Sequence, residues 1–313
     1  MDLKKIYEAQ ANLKGVINET PLLKSNQLSK ISNNTVYLKG EHLQKSGSFK
    51  IRGAYNAVKS AKEKGVKLVV AASSGNHGQA VALAAKKLGI KAIIVVPTNV
   101  AKCKQAAIIG YGGEIKYCGV TSAERIPYAI KIAEEKSGKF IPPYDDELII
   151  AGQGTVGLEI IKILPEVEAI VVPIGGGGLI SGLLTSIKAL RPEVKVIGVE
   201  PELANDTYLS LKANKHIQVD ATKTIADGLR TTEPGKMTFP ILQKHLDEIV
   251  LVSESEIKEA FKFVLERTKQ YIEPSSATTV AAVMNQKLNI TNKNVVCLIS
   301  GGNLDLTEIN NLL

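Results

Sequence analysis

The 313-residue chain has no tryptophan, five phenylalanines and only three cysteines. Cys103, Cys118 and Cys297 are odd in number and widely separated, with no C-x-x-C pair to suggest zinc or redox work, so reduced thiols are expected. No apolar run approaches the ~20 residues of a membrane span. The opening "MDLKKIYEAQANLKG" is charged and amphipathic rather than signal-like, so a soluble, unexported, cytoplasmic protein with no membrane partner is expected. There is no long internal repeat and no low-complexity segment. Lysine and arginine number 39 against 31 acids, a net charge of +8. That excess is spread along amphipathic segments, which argues against a nucleic-acid surface. It suits anionic small molecules or a solvated lysine-rich surface equally well.

What is present is ordinary for a globular chain, 44% apolar and 22% charged, and the length suggests two lobes. From about residue 66, short Val/Ile runs such as "VKLVVAAS", "KAIIVVP", "EAIVVPI" and "NVVCLIS" alternate with amphipathic stretches such as "GQAVALAAKKLG" and "SAERIPYAIKIAEEKSG". Continuous apolar runs between helices mean strands buried on both faces. The expected class is therefore α/β, two-lobed, with mostly parallel doubly wound sheets. "IPPYDDE", 141–147, is the best crossing between lobes, because its paired prolines and acids cannot continue a helix.

Ligands of such sheets collect where strand ends meet helix starts. At "IVVPIGGGGLISG", Gly175, Gly176, Gly177 and Gly178 open a helix and expose backbone N–H groups, a phosphate cradle. In this run the last position of a G-x-G-x-x-G falls on Ile180 or Ser181, and no glycine-lysine-serine/threonine loop occurs, so a nicotinamide or ATP reading loses ground. At "AASSGNHGQA", Ser73, Ser74, Asn76 and His77 suit a carboxylate or an aromatic oxygen, or else cap the helix. At "LISGGNLD", Ser300 either points a hydroxyl at a ligand or turns the chain. "KSGSFKIRG", 45–53, brackets Lys50 with small residues around Phe49; it reads either as a desolvated amine nucleophile or as a solvated lysine opening a helix. An amine, a phosphate cup and uncharged hydrogen-bonders at strand ends are together what pyridoxal phosphate needs.

"SGSFKIRGA", "SSGNHGQA", "AGQGT", "GGGGLISG", "IADG" and "SGGNLDL", in that order over nearly the whole chain, resemble the serine racemase and threonine/serine dehydratase family of fold type II pyridoxal-phosphate enzymes. The resemblance implies that Lys50 carries the cofactor and Phe49 packs near its ring. It further implies that Asn76 binds the ring hydroxyl, Gly175 to Gly178 the phosphate, and Ser300 the ring nitrogen. Residues 68–146 would form a small mobile domain closing on a large one made of 1–67 and 147–313. Lys50 would take the α-proton of a small hydroxy amino acid, and loss of the β-hydroxyl would lead to a 2-oxo acid and ammonia. Ser74 matches the racemases' opposite-face acid, where many dehydratases carry alanine. Arg125, with Ser73 and His77, would meet the substrate carboxylate. Glu200, the Ala204 carbonyl and Asp206 in "EPELAND" match a divalent-ion site suited to magnesium, calcium or manganese.

Tyr144 departs from the animal racemases, which have asparagine there, and resembles the dehydratases instead. The resemblance also leads us to expect a homodimer and, after "SGGNLDL", no C-terminal regulatory domain. Three other readings stay open. The chain could be mainly a serine racemase or a threo-3-hydroxyaspartate dehydratase; it could be a β-replacement enzyme, against which the "SSGNHGQA" turn and Arg125 argue; or it could be a ligand-binding module without chemistry, which the intact Lys50 makes improbable.

Overall fold

The computed structural model describes residues 1–220 and 222–313. The chain begins α1 (Leu3–Leu13), β1 (Leu22–Lys24), α2 (Asn26–Ser32), β2 (Thr35–Gly40) and α3 (Lys50–Glu63). It continues β3 (Leu68–Ala72), α4 (Asn76–Leu88), β4 (Lys91–Val96), α5 (Lys102–Gly110), β5 (Glu114–Tyr117), α6 (Ser122–Glu135) and β6 (Lys139–Phe140). The second half holds α7 (Glu147–Ile163), β7 (Ala169–Pro173), α8 (Gly178–Leu190), β8 (Lys195–Pro201), α9 (Asp206–Ala213), α10 (Thr238–His245), β9 (Glu248–Val252), α11 (Glu254–Phe263), α12 (Pro274–Met284), β10 (Asn294–Ile299) and α13 (Ile309–Leu312).

Two sheets result. One has six strands in the order β1-β2-β10-β7-β8-β9, parallel except for β1 against β2; the other has four parallel strands in the order β5-β4-β3-β6. The fold is thus the two-lobed, mostly parallel α/β arrangement that the Val/Ile runs predict. Those runs are buried on both faces: Val171, Val196, Ile197, Val295 and Leu298 are all 0% exposed in the six-stranded sheet. The segment 141–146 leaves β6 of the smaller sheet and ends where Asp146 caps α7, its carboxylate accepting from the Leu148 and Ile149 N–H groups.

Helix α7 is the central post, and its glycines explain its position. A Cβ on Gly152 would stand 2.5 Å from the Gly53 Cα, and one on Gly154 would stand 2.7 Å from the Gly182 carbonyl. Only glycine lets α7 touch α3 on one side and α8 on the other at backbone distance. The two helices that begin at the predicted site, at Lys50 and at Gly178, are thereby set against the same post.

Beneath α3 lies a charge cluster in the core. Arg52, fully buried, donates from Nε to Glu41 Oε2 at 2.8 Å and from Nη2 to Glu41 Oε1 at 2.7 Å. Its Nη1 donates to Glu159 Oε1 at 2.6 Å and to Thr155 Oγ1 at 3.1 Å. Lys39 Nζ, also fully buried, donates to Glu159 Oε2 and to the Thr20 carbonyl, each at 2.7 Å. Two cations and two carboxylates balance, so burial strands no net charge. The cluster ties the helix bearing Lys50 to β2 and α7.

Candidate active site

Helices α3, α4, α8 and α12 are among those that begin with no side-chain cap. Their first-turn N–H groups are consequently left for whatever lies in front of them. Each start follows, or packs beside, the carboxyl end of a strand, where ligands of open α/β sheets bind.

Lys50 is the first residue of α3 and half-buried. Its Nζ donates to the Pro143 carbonyl at 2.8 Å and stands 5.1 Å from the centre of the Phe49 ring. Burial pushes its pKa down to about 8, and the Glu273 carboxyl pulls it back up. Near neutral pH a fraction of this amine is therefore uncharged, which an exposed lysine's would not be, and that fraction is nucleophilic. The Phe49 N–H donates to the Ser300 carbonyl at 3.0 Å, and Ser48 bridges to Gly301, so the residues before Lys50 are tied to the end of β10. Ser300 is 3% exposed, with its hydroxyl 3.1 Å from that of Ser276.

The glycine run lies between β7 and α8. Gly177 has φ +85°, a left-handed conformation that glycine takes without strain. A Cβ on Gly176 would collide with the Tyr144 ring, and one on Gly178 would come within 2.9 Å of the Tyr144 Cβ. The N–H groups of Gly175, Gly176 and Gly177 have no acceptor among the described residues. Unpaired N–H groups at a helix N-terminus, on backbone stripped of side chains, fit a phosphate. Thr238 holds the loop from behind, donating to the Gly176 carbonyl at 2.8 Å.

The turn after β3 brings Ser73, Ser74 and Asn76, all half-buried, to the start of α4. Asn76 is engaged at both ends of its amide: Nδ2 donates to Glu273 Oε1 and Oδ1 accepts from Asn303 Nδ2, each at 2.7 Å. His77 is buried and donates from Nε2 to the Ile141 carbonyl at 2.8 Å. Burial and then the Lys50 charge push its pKa down to about 3. His77 is thus a neutral hydrogen-bond donor. Its pKa lies below the ~6.5 of an unfolded histidine, so the folded state refuses a proton that the unfolded state accepts. Its stabilising contribution is full above about pH 6.5 and declines as the pH falls from there towards about 3. Urea midpoints measured from pH 7.5 down to 5 should therefore drop more in the wild type than in His77→Asn; parallel declines would contradict the assignment.

The other predicted residues lie apart. Arg125, on α6, donates to Ser122 Oγ at 3.1 Å and leaves Nε and Nη1 without partners; none of its hydrogen bonds reaches Lys50 or the glycine run. Glu200 and Asp206 are 0% and Ala204 1% exposed, at the end of β8. Glu200 accepts from the Thr207 and Tyr208 N–H groups at 3.0 and 2.8 Å, and Asp206 accepts from Thr231 Oγ1 at 3.2 Å. Burial raises both carboxyls, Asp206 to about 6, and the Asp206 charge raises Glu200 further. Among the described residues no group of three or more His, Cys, Asp or Glu side chains is gathered to hold a metal.

Sequence reasoning missed Glu273, and it reads the segment 141–146 as a crossing between lobes without foreseeing its contacts in the site. That segment supplies the carbonyls that meet Lys50 and His77, and its Tyr144 packs on the glycine run. Its Asp145 carboxylate accepts the Lys236 and Met237 N–H groups at 3.0 and 2.8 Å. Glu273 directly precedes Pro274 at the start of α12, a position that reads in sequence as a helix cap, although its side chain caps nothing there.

A desolvated lysine bonded to Pro143 and an unpaired glycine run packed on the neighbouring Tyr144, on a two-sheet parallel α/β scaffold, fit a cofactor-dependent enzyme of the lysine-and-phosphate kind. A family model described as "Pyridoxal-phosphate dependent enzyme" matches residues 13–301. The chain belongs to that family. It is 45% identical over 312 residues to an L-threonine ammonia-lyase of Thermotoga maritima, covering 99% of this chain and 78% of that protein. It is 44% identical over 317 residues to a serine racemase of Dictyostelium discoideum, covering 99% and 97%. A solved maize serine racemase superposes with a TM-score of 0.94 at 37% identity, covering 99% of this chain and 96% of that one.

Proposed function

We propose that this protein is a pyridoxal-phosphate-dependent ammonia-lyase that dehydrates L-serine and L-threonine to the 2-oxo acid and ammonia, with serine racemisation as a companion activity. The observation that carries the reading is the Lys50 amine, half-buried and lowered to about 8, at the head of a helix beside an unpaired glycine cup. Relatives named for both activities support it. The bound cofactor supplies an electron sink for the charge left when a proton leaves the α-carbon. Lys50 is the base that takes that proton, and Gly175, Gly176, Gly177 and Gly178 hold the phosphate. Asn76 serves the ring hydroxyl and Phe49 flanks the ring. Ser300 serves the ring nitrogen with a neutral hydroxyl, which does not enforce its protonation. Ser73, the first-turn backbone N–H of His77 and Arg125 receive the substrate carboxylate; the His77 ring does not, because its one N–H is given to the Ile141 carbonyl. Ser74 returns a proton from the other face.

The remaining inferences belong to the same reading. Glu200, Asp206 and the Ala204 carbonyl form a site for magnesium, calcium or manganese; two neighbouring carboxyls raised by burial fit a divalent ion that would restore both to the charged form. Residues 68–146 move as a small domain against the rest, and the protein is a cytoplasmic homodimer. Unpaired Cys103, Cys118 and Cys297 agree with a reducing location.

The test is product partition. Given L-serine, the cofactor-loaded wild type should release pyruvate with a measurable share of D-serine. Ser74→Ala should cut D-serine formation by about 10²-fold or more, the usual contribution of a positioned acid, and pyruvate formation by much less. An equal fall in both products would remove Ser74 from its role, and an absence of both from wild type would remove the function.

A further inference from the structure

Glu273 is 4% exposed and reaches across the cleft. It precedes α12 on the six-stranded side, whereas Asn76 follows β3 on the four-stranded side. Its Oε1 accepts from Asn76 Nδ2 at 2.7 Å, and its Oε2 accepts from the Asn303 backbone N–H at 3.2 Å. Asn303 closes the triangle, donating from Nδ2 to Asn76 Oδ1 at 2.7 Å and to the Ser46 carbonyl at 2.8 Å. An asparagine amide held at both oxygen and nitrogen cannot turn over, and one of its two Nδ2 hydrogens remains for a ligand. Gly301 keeps the space open: a Cβ there would stand 2.8 Å from Glu273 Oε1.

We propose that Glu273 is a positioning residue, which fixes the Asn76 amide across the cleft so that its remaining N–H faces the ring oxygen of the cofactor; this rests on the reading of Asn76 given above. Burial and the neighbouring Asp227 raise the Glu273 carboxyl to about 7, so near neutrality its ionised form is only partly populated. Its hydrogen bonds to Asn76 and Asn303, rather than a full negative charge, perform the task. Glutamine keeps the acceptor facing Asn76, and alanine removes it.

The test is the dissociation constant of pyridoxal phosphate, measured by titrating the cofactor-free protein. Glu273→Ala should raise it about tenfold, what one ordinary hydrogen bond is worth. Glu273→Gln should raise it by no more than about threefold, since the contact to Asn76 survives. In an Asn76→Ala background, Glu273→Ala should change nothing further, because its effect passes through that amide. Asn303→Ala frees the other end of the amide without removing a buried acid; it should weaken binding several-fold, and likewise add nothing beside Asn76→Ala, even if Glu273→Ala fails to fold. Equal losses with and without Asn76 would overturn the proposal, as would a glutamine variant as weak as the alanine one. If Asn76→Ala binds the cofactor as the wild type does, the reading of Asn76 falls and this proposal with it. If Asn76→Ala is weak but Glu273→Ala and Asn303→Ala are not, only the positioning role falls.

Discussion

Lys50→Ala should abolish turnover, with a loss of at least about 10³-fold, and should remove the covalent hold on the cofactor. The size follows from the two duties proposed for one nitrogen, attachment point and base. Among the described residues no other lysine side chain donates to the 141–146 segment, and the amine lowered to about 8 stands on the first turn of α3. Stability should change little, because Lys50 is half-buried and its side chain makes a single hydrogen bond, to the Pro143 carbonyl. Steady-state rates give the first half of the result. Borohydride reduction followed by peptide mass analysis gives the second, with the cofactor's added mass on the Lys50 peptide of the wild type and on no peptide of the variant. Turnover within about tenfold of wild type would take the chemistry away from Lys50.

Arg52→Met should have the largest effect on stability, a loss of about 3–5 kcal/mol. The guanidinium is fully buried and makes five hydrogen bonds, to Glu41, Glu159 and Thr155. Removing it leaves two carboxyls in the core with only Lys39 to balance them, and an unpaired buried charge costs far more than an intact pair returns. Surface ion pairs such as Lys162 with Glu19, at 3.0 Å, set the contrast, since exposed pairs are worth about 0–1 kcal/mol. Urea unfolding of Arg52→Met and Lys162→Met side by side separates the two. A midpoint for Arg52→Met close to that of Lys162→Met would show the cluster to be dispensable. Because α3 hangs on this cluster, Arg52→Met should also blur the placement of Lys50 in the protein that remains folded.

Arg52 also shows where sequence reading stops. "SFKIRGA" contains both Lys50 and Arg52, yet only the lysine stands out in sequence, because an arginine on a helix normally lies at the surface. Its burial depends on Glu41 and Glu159, 11 and 107 residues away, and nothing local marks either acid as a core residue. The Val/Ile runs of β3, β4, β7 and β10 were legible because burial on both faces writes itself into consecutive residues. Strand β6, two residues long, left no such pattern. The glycines of "AGQGT" were legible as a motif, whereas their reason, backbone contact of α7 with α3 and α8, required the packed helices. In the site, the turns at "SSGNHG", "GGGG" and "LISGG" stood out because strand ends are where such folds bind. Glu273 did not, because its partner Asn76 is 197 residues away and an acid before a proline looks like a cap.

The most direct test of the account is to give the cofactor-loaded protein L-threonine and L-serine separately and to measure 2-oxo acid and ammonia in the same sample. The account predicts the two products in equal amounts, abolished by Lys50→Ala. A protein that carries its cofactor on Lys50 yet forms no oxo acid from either amino acid would contradict it.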